Sequence, residues 1–147
     1  MQIKEIMTPN PEVLPADASL MDAALKMKDL DVGILPVASG ESVVGIVTDR
    51  DIVLRGVAQR RDPAGTRVRD IMTGDVLTCP EDTSLEDAAR TMEEKKVRRV
   101  LVTDSSGRTV GILSLGDIAT KGGREREIGL GGEILSRVSH PSRPLHH

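Results

Sequence analysis

The sequence predicts an α+β protein built from two pseudo-symmetric β-α-β-β-α repeats packed through their sheets. Three observations carry this prediction. The chain duplicates itself, each copy holds an amphipathic helical stretch behind a serine cap, and each continues into two short β-branched runs joined by a turn. The duplication is direct: IKEIMT (3–8) lies on VRDIMT (68–73), and PADASLMDAALKM (15–27) lies on PEDTSLEDAARTM (80–92). Over residues 3–38 against 68–103, 13 of 36 positions are identical, where about two would follow from average composition. After one extra residue in a turn, VGIVTDRDI (44–52) lies on VGILSLGDI (110–118).

Each element follows in order. A short extended piece, EVLP or VLTCP, opens the unit. Ser19 and Ser84, each with an aspartate three positions on (Asp22, Asp87), have the spacing of a capping box. The apolar residues behind them, Leu20, Ala23, Ala24, Met27 and Leu30, then Leu85, Ala88, Ala89 and Met92, recur at helical spacing. Ile34 to Ala38 and Val43 to Thr48 flank the turn SGES, and Arg99 to Thr103 and Thr109 to Leu113 flank DSSG, so each pair reads as a hairpin. The hairpins run into helical segments, DRDIVLRGVAQ and LGDIATK. The first repeat is assigned to 1–62 and the second to 63–122, with the Pro- and Gly-bearing linker RRDPAGTR (60–67) at their junction. Residues 123–147 form a C-terminal tail that accommodates one short helix around Glu133 to Val138. A unit of roughly 60 residues buries only about 60% of its unfolded surface, so the two are expected to pair their sheets about a pseudo-two-fold axis.

Composition removes several functions. The 147 residues include no Phe, Trp or Tyr, so neither a base-stacking platform for single-stranded nucleic acid nor an aromatic cage can be built. A formal net charge of -3 gives no basic surface for a phosphate backbone, and nucleic acid is not an expected partner. Cys79 is the single cysteine and reads as a small buried apolar residue. His140, His146 and His147 all stand in the tail, so no Cys/His metal site or catalytic triad can be assembled, and G-x-x-x-x-G-K is absent. An enzyme is therefore not expected. No apolar run is long enough to span a bilayer, and the expectation is a soluble, cytoplasmic chain without a membrane partner.

The most specific recurrent element is a strand ending in Gly-apolar-apolar-Ser/Thr-x-x-Asp that turns into a helix: GIVTDRD and GILSLGD. Two readings fit. Ser/Thr-x-x-acid is a helix cap, as at Ser19 and Ser84. Alternatively, Thr48 and Ser114 sit where a strand feeds a helix, a natural place for a phosphate, and Asp51 and Asp117 could accept two hydrogen bonds from the vicinal hydroxyls of a ribose. Lys95, Lys96, Arg98 and Arg99 similarly read as a solvated charge run or, because consecutive strand residues face opposite ways, as at least one guanidinium directed at phosphate. Arg50 could assist a site or pair with Asp49 or Asp51.

On IMTPNP with IMTGDV, the strands ILPV and VRRVLV, and the endings GIVTDRDI and GILSLGDI, the chain resembles a tandem pair of cystathionine-β-synthase (CBS) domains, a Bateman module, over residues 3 to about 121. The resemblance implies two adenosine-nucleotide pockets in the cleft between the repeats, no catalysis by the module, and pairing of two such chains. One pocket would take Ser114, Asp117 and Arg99, with Thr8, Pro11, Val32 and Gly33 around adenine and ribose. Its twin would take Thr48, Asp51 and Arg98, with Thr73, Val76 and Val97. The first repeat carries Gly33 and Ile34 where the second carries Arg98 and Arg99, so the pocket with Ser114 and Asp117 is expected to bind more tightly. The expected function is a regulatory, metabolite-sensing module that binds AMP, ADP or ATP, with NAD and S-adenosylmethionine as further candidates. It would signal through a homodimer or an unidentified protein effector. The competing reading is a scaffold of the same fold that binds no nucleotide.

Overall fold

The two copies of the duplication fold alike in the computed structural model, which describes residues 1–122. The expected tail helix lies outside the described residues. The first copy opens with β1 (Thr8–Pro9) and runs on through β2 (Leu14–Pro15), α1 (Leu20–Leu30), β3 (Ile34–Ser39) and β4 (Ser42–Thr48). Helix α2 opens with one α-turn, Asp49–Asp51, and widens into a π-helix over Ile52–Val57, where Ala58 N–H donates to the Val53 carbonyl at 2.8 Å. The second copy runs β5 (Thr78–Pro80), α3 (Leu85–Lys95), β6 (Arg99–Thr103), β7 (Thr109–Ser114) and α4, an α-turn at Leu115–Asp117 that widens at Ile118–Gly122. Within residues 1–122 the expected helices and hairpins are present, and the class is α+β with two sheets.

Local chemistry sets the helix ends. Ser19 Oγ accepts from Asp22 N–H at 3.0 Å and the Asp22 carboxylate accepts from Ser19 N–H at 3.1 Å, closing the reciprocal box. At Ser84 only half of the expected box forms. Its hydroxyl accepts from Asp87 N–H at 3.1 Å, while the Asp87 carboxylate accepts from the Arg90 guanidinium at 3.0 Å, a charged donor one turn on. Both long helices end in a left-handed residue, Asp31 and Lys96, after which Val32 and Val97 donate to the carbonyls of Met27 and Met92 at 3.0 Å.

The chain forms two compact units that are not the two sequence repeats. One joins residues 1–11 to the described chain from 77 onward; the other is the continuous stretch 12–76. In the first unit β1 pairs antiparallel with β7, Thr8 opposite Ile112 and Pro9 opposite Gly111, giving a sheet of order β1-β7-β6-β5. In the second, β2-β3-β4 form the sheet and Thr73 bridges Ile46, its N–H donating to the Ile46 carbonyl at 2.8 Å. Each Ile-Met-Thr stretch thus lies beside the hairpin of the other copy. The close approach is possible because strand positions Gly45 and Gly111 have no side chain: a Cβ at Gly45 would stand 2.5 Å from the Thr73 carbonyl oxygen, and one at Gly111 would meet the Met7 side chain.

The crossing stretches are anchored by burial. Ile3 and Ile6 enter a core with Leu85, Met92 and Leu113, and Val68 and Ile71 enter one with Leu20, Leu35 and Val47. Burying each such side chain stabilises by roughly 1.5–3 kcal/mol relative to exposure, an upper figure because the unfolded chain already hides some of it. Cys79 is buried in the first of these cores, as its solitary occurrence suggested, and burial pushes its thiol up from the ordinary range. Its neutral form is the folded form. Any stability linked to it is therefore complete below the ordinary thiol range and is lost as pH rises from that range through the raised folded value.

Candidate functional site

Both strand-to-helix corners have the same construction. At the end of β4, Thr48 Oγ1 accepts from Asp51 N–H at 3.0 Å, and Asp51 Oδ2 accepts from Thr48 N–H at 3.0 Å. At the end of β7, Ser114 Oγ accepts from Asp117 N–H at 3.0 Å and Asp117 Oδ2 accepts from Ser114 N–H at 3.0 Å. The capping reading is therefore correct as geometry. It engages one oxygen of each carboxylate with the backbone and leaves the other, Oδ1, turned toward side chains.

Those side chains were in part expected. Thr73 Oγ1 lies 3.5 Å from Asp51 Oδ1 and 3.4 Å from Oδ2, so Thr48, Asp51 and Thr73 are brought together, with Val76 half-buried farther along the same stretch. The ion pair to Asp51 comes from Arg55, whose Nε is 3.9 Å from Oδ1; Arg50 is exposed, and its backbone N–H donates to Asp49 Oδ1 at 2.8 Å. Lys121 Nζ occupies the corresponding place 3.7 Å from Asp117 Oδ1. Neither Arg55 nor Lys121 stood out in the sequence reading. The signal was a cation four residues after each site aspartate, in DIVLR and DIATK. Asp51 is 8% exposed and is the one buried charged residue among those described.

The second corner carries more positive charge. Arg99 opens β6 directly across from Ser114, where the first copy has Ile34 across from Thr48. Arg98 precedes the strand, its carbonyl accepting from Leu115 N–H at 2.9 Å, as Gly33 accepts from Asp49 N–H at 3.0 Å in the first copy. Thr8 and Pro11 belong to the same compact unit as Ser114, Asp117 and Arg99. Val32 and Gly33 belong to the unit of Thr48 and Asp51, and Val97 and Arg98 to the unit of Ser114 and Asp117. Among the described residues no group of three or more His, Cys, Asp and Glu could hold a metal ion, and no helix is long and apolar enough to cross a membrane.

The chain is thus a doubled α+β unit in which each hairpin ends in a capped Ser/Thr-x-x-Asp corner. The CBS domain family model matches the chain twice, at residues 3–57 and 68–122, and the chain belongs to that family. It is similar to the uncharacterized protein YlbB of Bacillus subtilis, 37% identical over 140 residues that cover 94% of this chain and 91% of that one. Among solved structures it is similar to CBSX2 of Arabidopsis thaliana in complex with AMP, with a TM-score of 0.69 and 31% identity over 85% of this chain and 98% of that one. It is also similar to the CBS domain pair of protein MJ0100 in complex with 5′-methylthioadenosine and S-adenosyl-L-methionine, with a TM-score of 0.74 and 28% identity over 85% and 98% of the two chains.

Proposed function

We propose that this chain is a cytoplasmic regulatory module that binds an adenosine nucleotide at its two strand-to-helix corners without transforming it. The observation that carries the reading is the twice-built carboxylate at Asp51 and Asp117. One oxygen is held by a backbone N–H, and the other faces side-chain donors within reach of a ribose hydroxyl pair. The adenosine compounds named with CBSX2 and MJ0100 support the ligand class. On this reading Ser114 and Thr48 face the phosphate, Arg99 supplies a forked donor to it, and Thr8 and Thr73 line the ribose side of their respective corners. The candidates are AMP, ADP, ATP, NAD and S-adenosylmethionine.

The chain has no Phe, Trp or Tyr, so bound adenine supplies essentially all near-ultraviolet absorbance of the purified protein. Acid precipitation is expected to release an adenine compound in near-stoichiometric amount, or, if the protein purifies empty, calorimetric titration with AMP is expected to give saturable heat. A blank spectrum together with no heat from any of the five candidates would leave the scaffold reading in place.

Signalling on this reading passes through a second copy or a partner protein. The support is a set of apolar side chains on two helices of the 12–76 unit: Met21, Leu25, Val53, Leu54 and Val57 are 43–63% exposed. The second copy has Glu86, Arg90, Ala119 and Thr120 at the places of the first four. An isologous contact buries such side chains against their own counterparts. Leu25→Glu with Val57→Glu is expected to convert a dimer to a monomer in sedimentation velocity. A wild-type chain that sediments as a monomer would refute the homodimer.

A further inference from the structure

The cations four residues beyond the two site aspartates join the same two groups in both copies. Arg55 lies 3.9 Å from Asp51 Oδ1 through Nε, and its Nη1 donates to the carbonyls of Ile71 at 3.3 Å and Met72 at 3.2 Å. Lys121 Nζ lies 3.7 Å from Asp117 Oδ1 and donates to the carbonyl of Ile6 at 3.3 Å. Ile6 and Ile71 are the same position of the duplication, the isoleucine of Ile-Met-Thr. One copy uses a guanidinium and the other an ammonium, yet each connects a site carboxylate to the main chain of the stretch that crosses the neighbouring hairpin.

The distances decide what this contact does. Separations of 3.7 and 3.9 Å are longer than a charged hydrogen bond, so the cation attracts Oδ1 without consuming its lone pairs. Oδ2 is already pinned by the Thr48 or Ser114 N–H. With one oxygen bonded and the other drawn toward a fixed positive charge, the plane of the carboxylate is set before a ligand arrives. Exposed i,i+4 pairs contribute little to stability on their own, and both cations are about half exposed, at 55% and 48%. Orientation, with the main-chain tether, is the larger consequence.

We infer that Arg55 and Lys121 are positioning residues: each holds the adjacent aspartate in the orientation that receives a ribose hydroxyl pair and ties that aspartate to the Ile-Met-Thr stretch. Ligand at the carboxylate is thereby coupled to a segment of backbone more than a dozen residues away in sequence. The inference rests on the nucleotide reading above, and its test separates the two.

Full-length wild type, Lys121→Met, Lys121→Arg and Arg55→Met are titrated calorimetrically with AMP and with 2′-deoxy-AMP. Lys121→Met is expected to weaken AMP by about two- to fivefold at the Asp117 corner, the scale of a half-exposed ion pair, while leaving 2′-deoxy-AMP nearly unchanged. Discrimination between the two ligands then collapses, and Lys121→Arg restores it. In an Asp117→Asn background Lys121→Met is expected to add nothing further. A variant that weakens both ligands equally would overturn the positioning role while leaving the nucleotide reading intact; a wild type that binds neither of these ligands nor ADP, ATP, NAD or S-adenosylmethionine would overturn the nucleotide reading. Amide exchange without ligand tests the tether separately. The Thr73 N–H, bonded to the Ile46 carbonyl, is expected to exchange several-fold faster in Arg55→Met, and unchanged exchange would refute the tether.

Discussion

Asp117→Ala is expected to abolish measurable AMP binding at the second corner and to cost at least roughly tenfold more overall affinity than Asp51→Ala. Each carboxylate offers charged acceptor oxygens to neutral hydroxyl donors, and such bonds contribute roughly 1.5–3 kcal/mol apiece, so losing a pair removes about two to four orders of magnitude. The asymmetry has a separate origin. Ser114 stands across from Arg99, whereas Thr48 stands across from Ile34, so only the second corner places a guanidinium at the strand end within its own unit. Asp51 is moreover already approached by Thr73 Oγ1 at 3.4 Å, a contact a ribose must replace. Calorimetry on the two single variants checks this, and equal losses would count against the asymmetry.

The largest stability effect is expected at Gly45. Gly45→Ala would place a Cβ 2.5 Å from the Thr73 carbonyl oxygen, with Met72 Sδ at 3.2 Å and Gly74 Cα at 3.3 Å. A methionine can swing aside, but the obstacle here is backbone, held by the Thr73–Ile46 pairing and by buried Val68 and Ile71. Overpacking of this kind costs about 1–3 kcal/mol, and the upper end is expected, lowering Tm by roughly 10 °C. Gly111→Ala should cost less. Its first obstacle is the flexible Met7 side chain, although the Thr8 carbonyl stands 3.0 Å away. Thermal unfolding followed by circular dichroism measures both. A loss below about 1 kcal/mol at Gly45, under the overpacking range, would mean that the crossing stretch shifts freely.

The parts of this molecule that were legible in its sequence are those written in local pattern. Ser19 and Ser84 announced the helices, and the β-branched runs around SGES and DSSG announced the hairpins, because period and turn chemistry act over a few residues. The partner of each Ile-Met-Thr stretch was not legible. Pairing between Thr8 and Ile112 leaves no mark between them, apart from glycines in strand positions at 45 and 111, which signal a close backbone without saying whose. The site was half legible for a sharper reason. A cap and a ribose-binding carboxylate call for the same residues at the same spacing, and in the folded chain Ser19–Asp22, Thr48–Asp51 and Ser114–Asp117 all form the same reciprocal box. What separates them is the second oxygen's company, Arg55 and Thr73 or Lys121, which comes from turn geometry and from chain far away.

The pairing of β1 with β7 also sets a timetable. During synthesis the chain emerges in order, and 104 residues separate Thr8 from its partner Ile112 (112 − 8). At about 5–20 residues per second that gap lasts roughly 5–20 s, far longer than small hairpins and helices need to form. The continuous stretch 12–76 has all its strands within reach early. Ile3 and Ile6, by contrast, lack the partners of their core until the β6–β7 hairpin leaves the ribosome. Residues 1–11 are thus the last part of their compact unit to find a partner, while the stretch 12–76 completes its own pairings sooner.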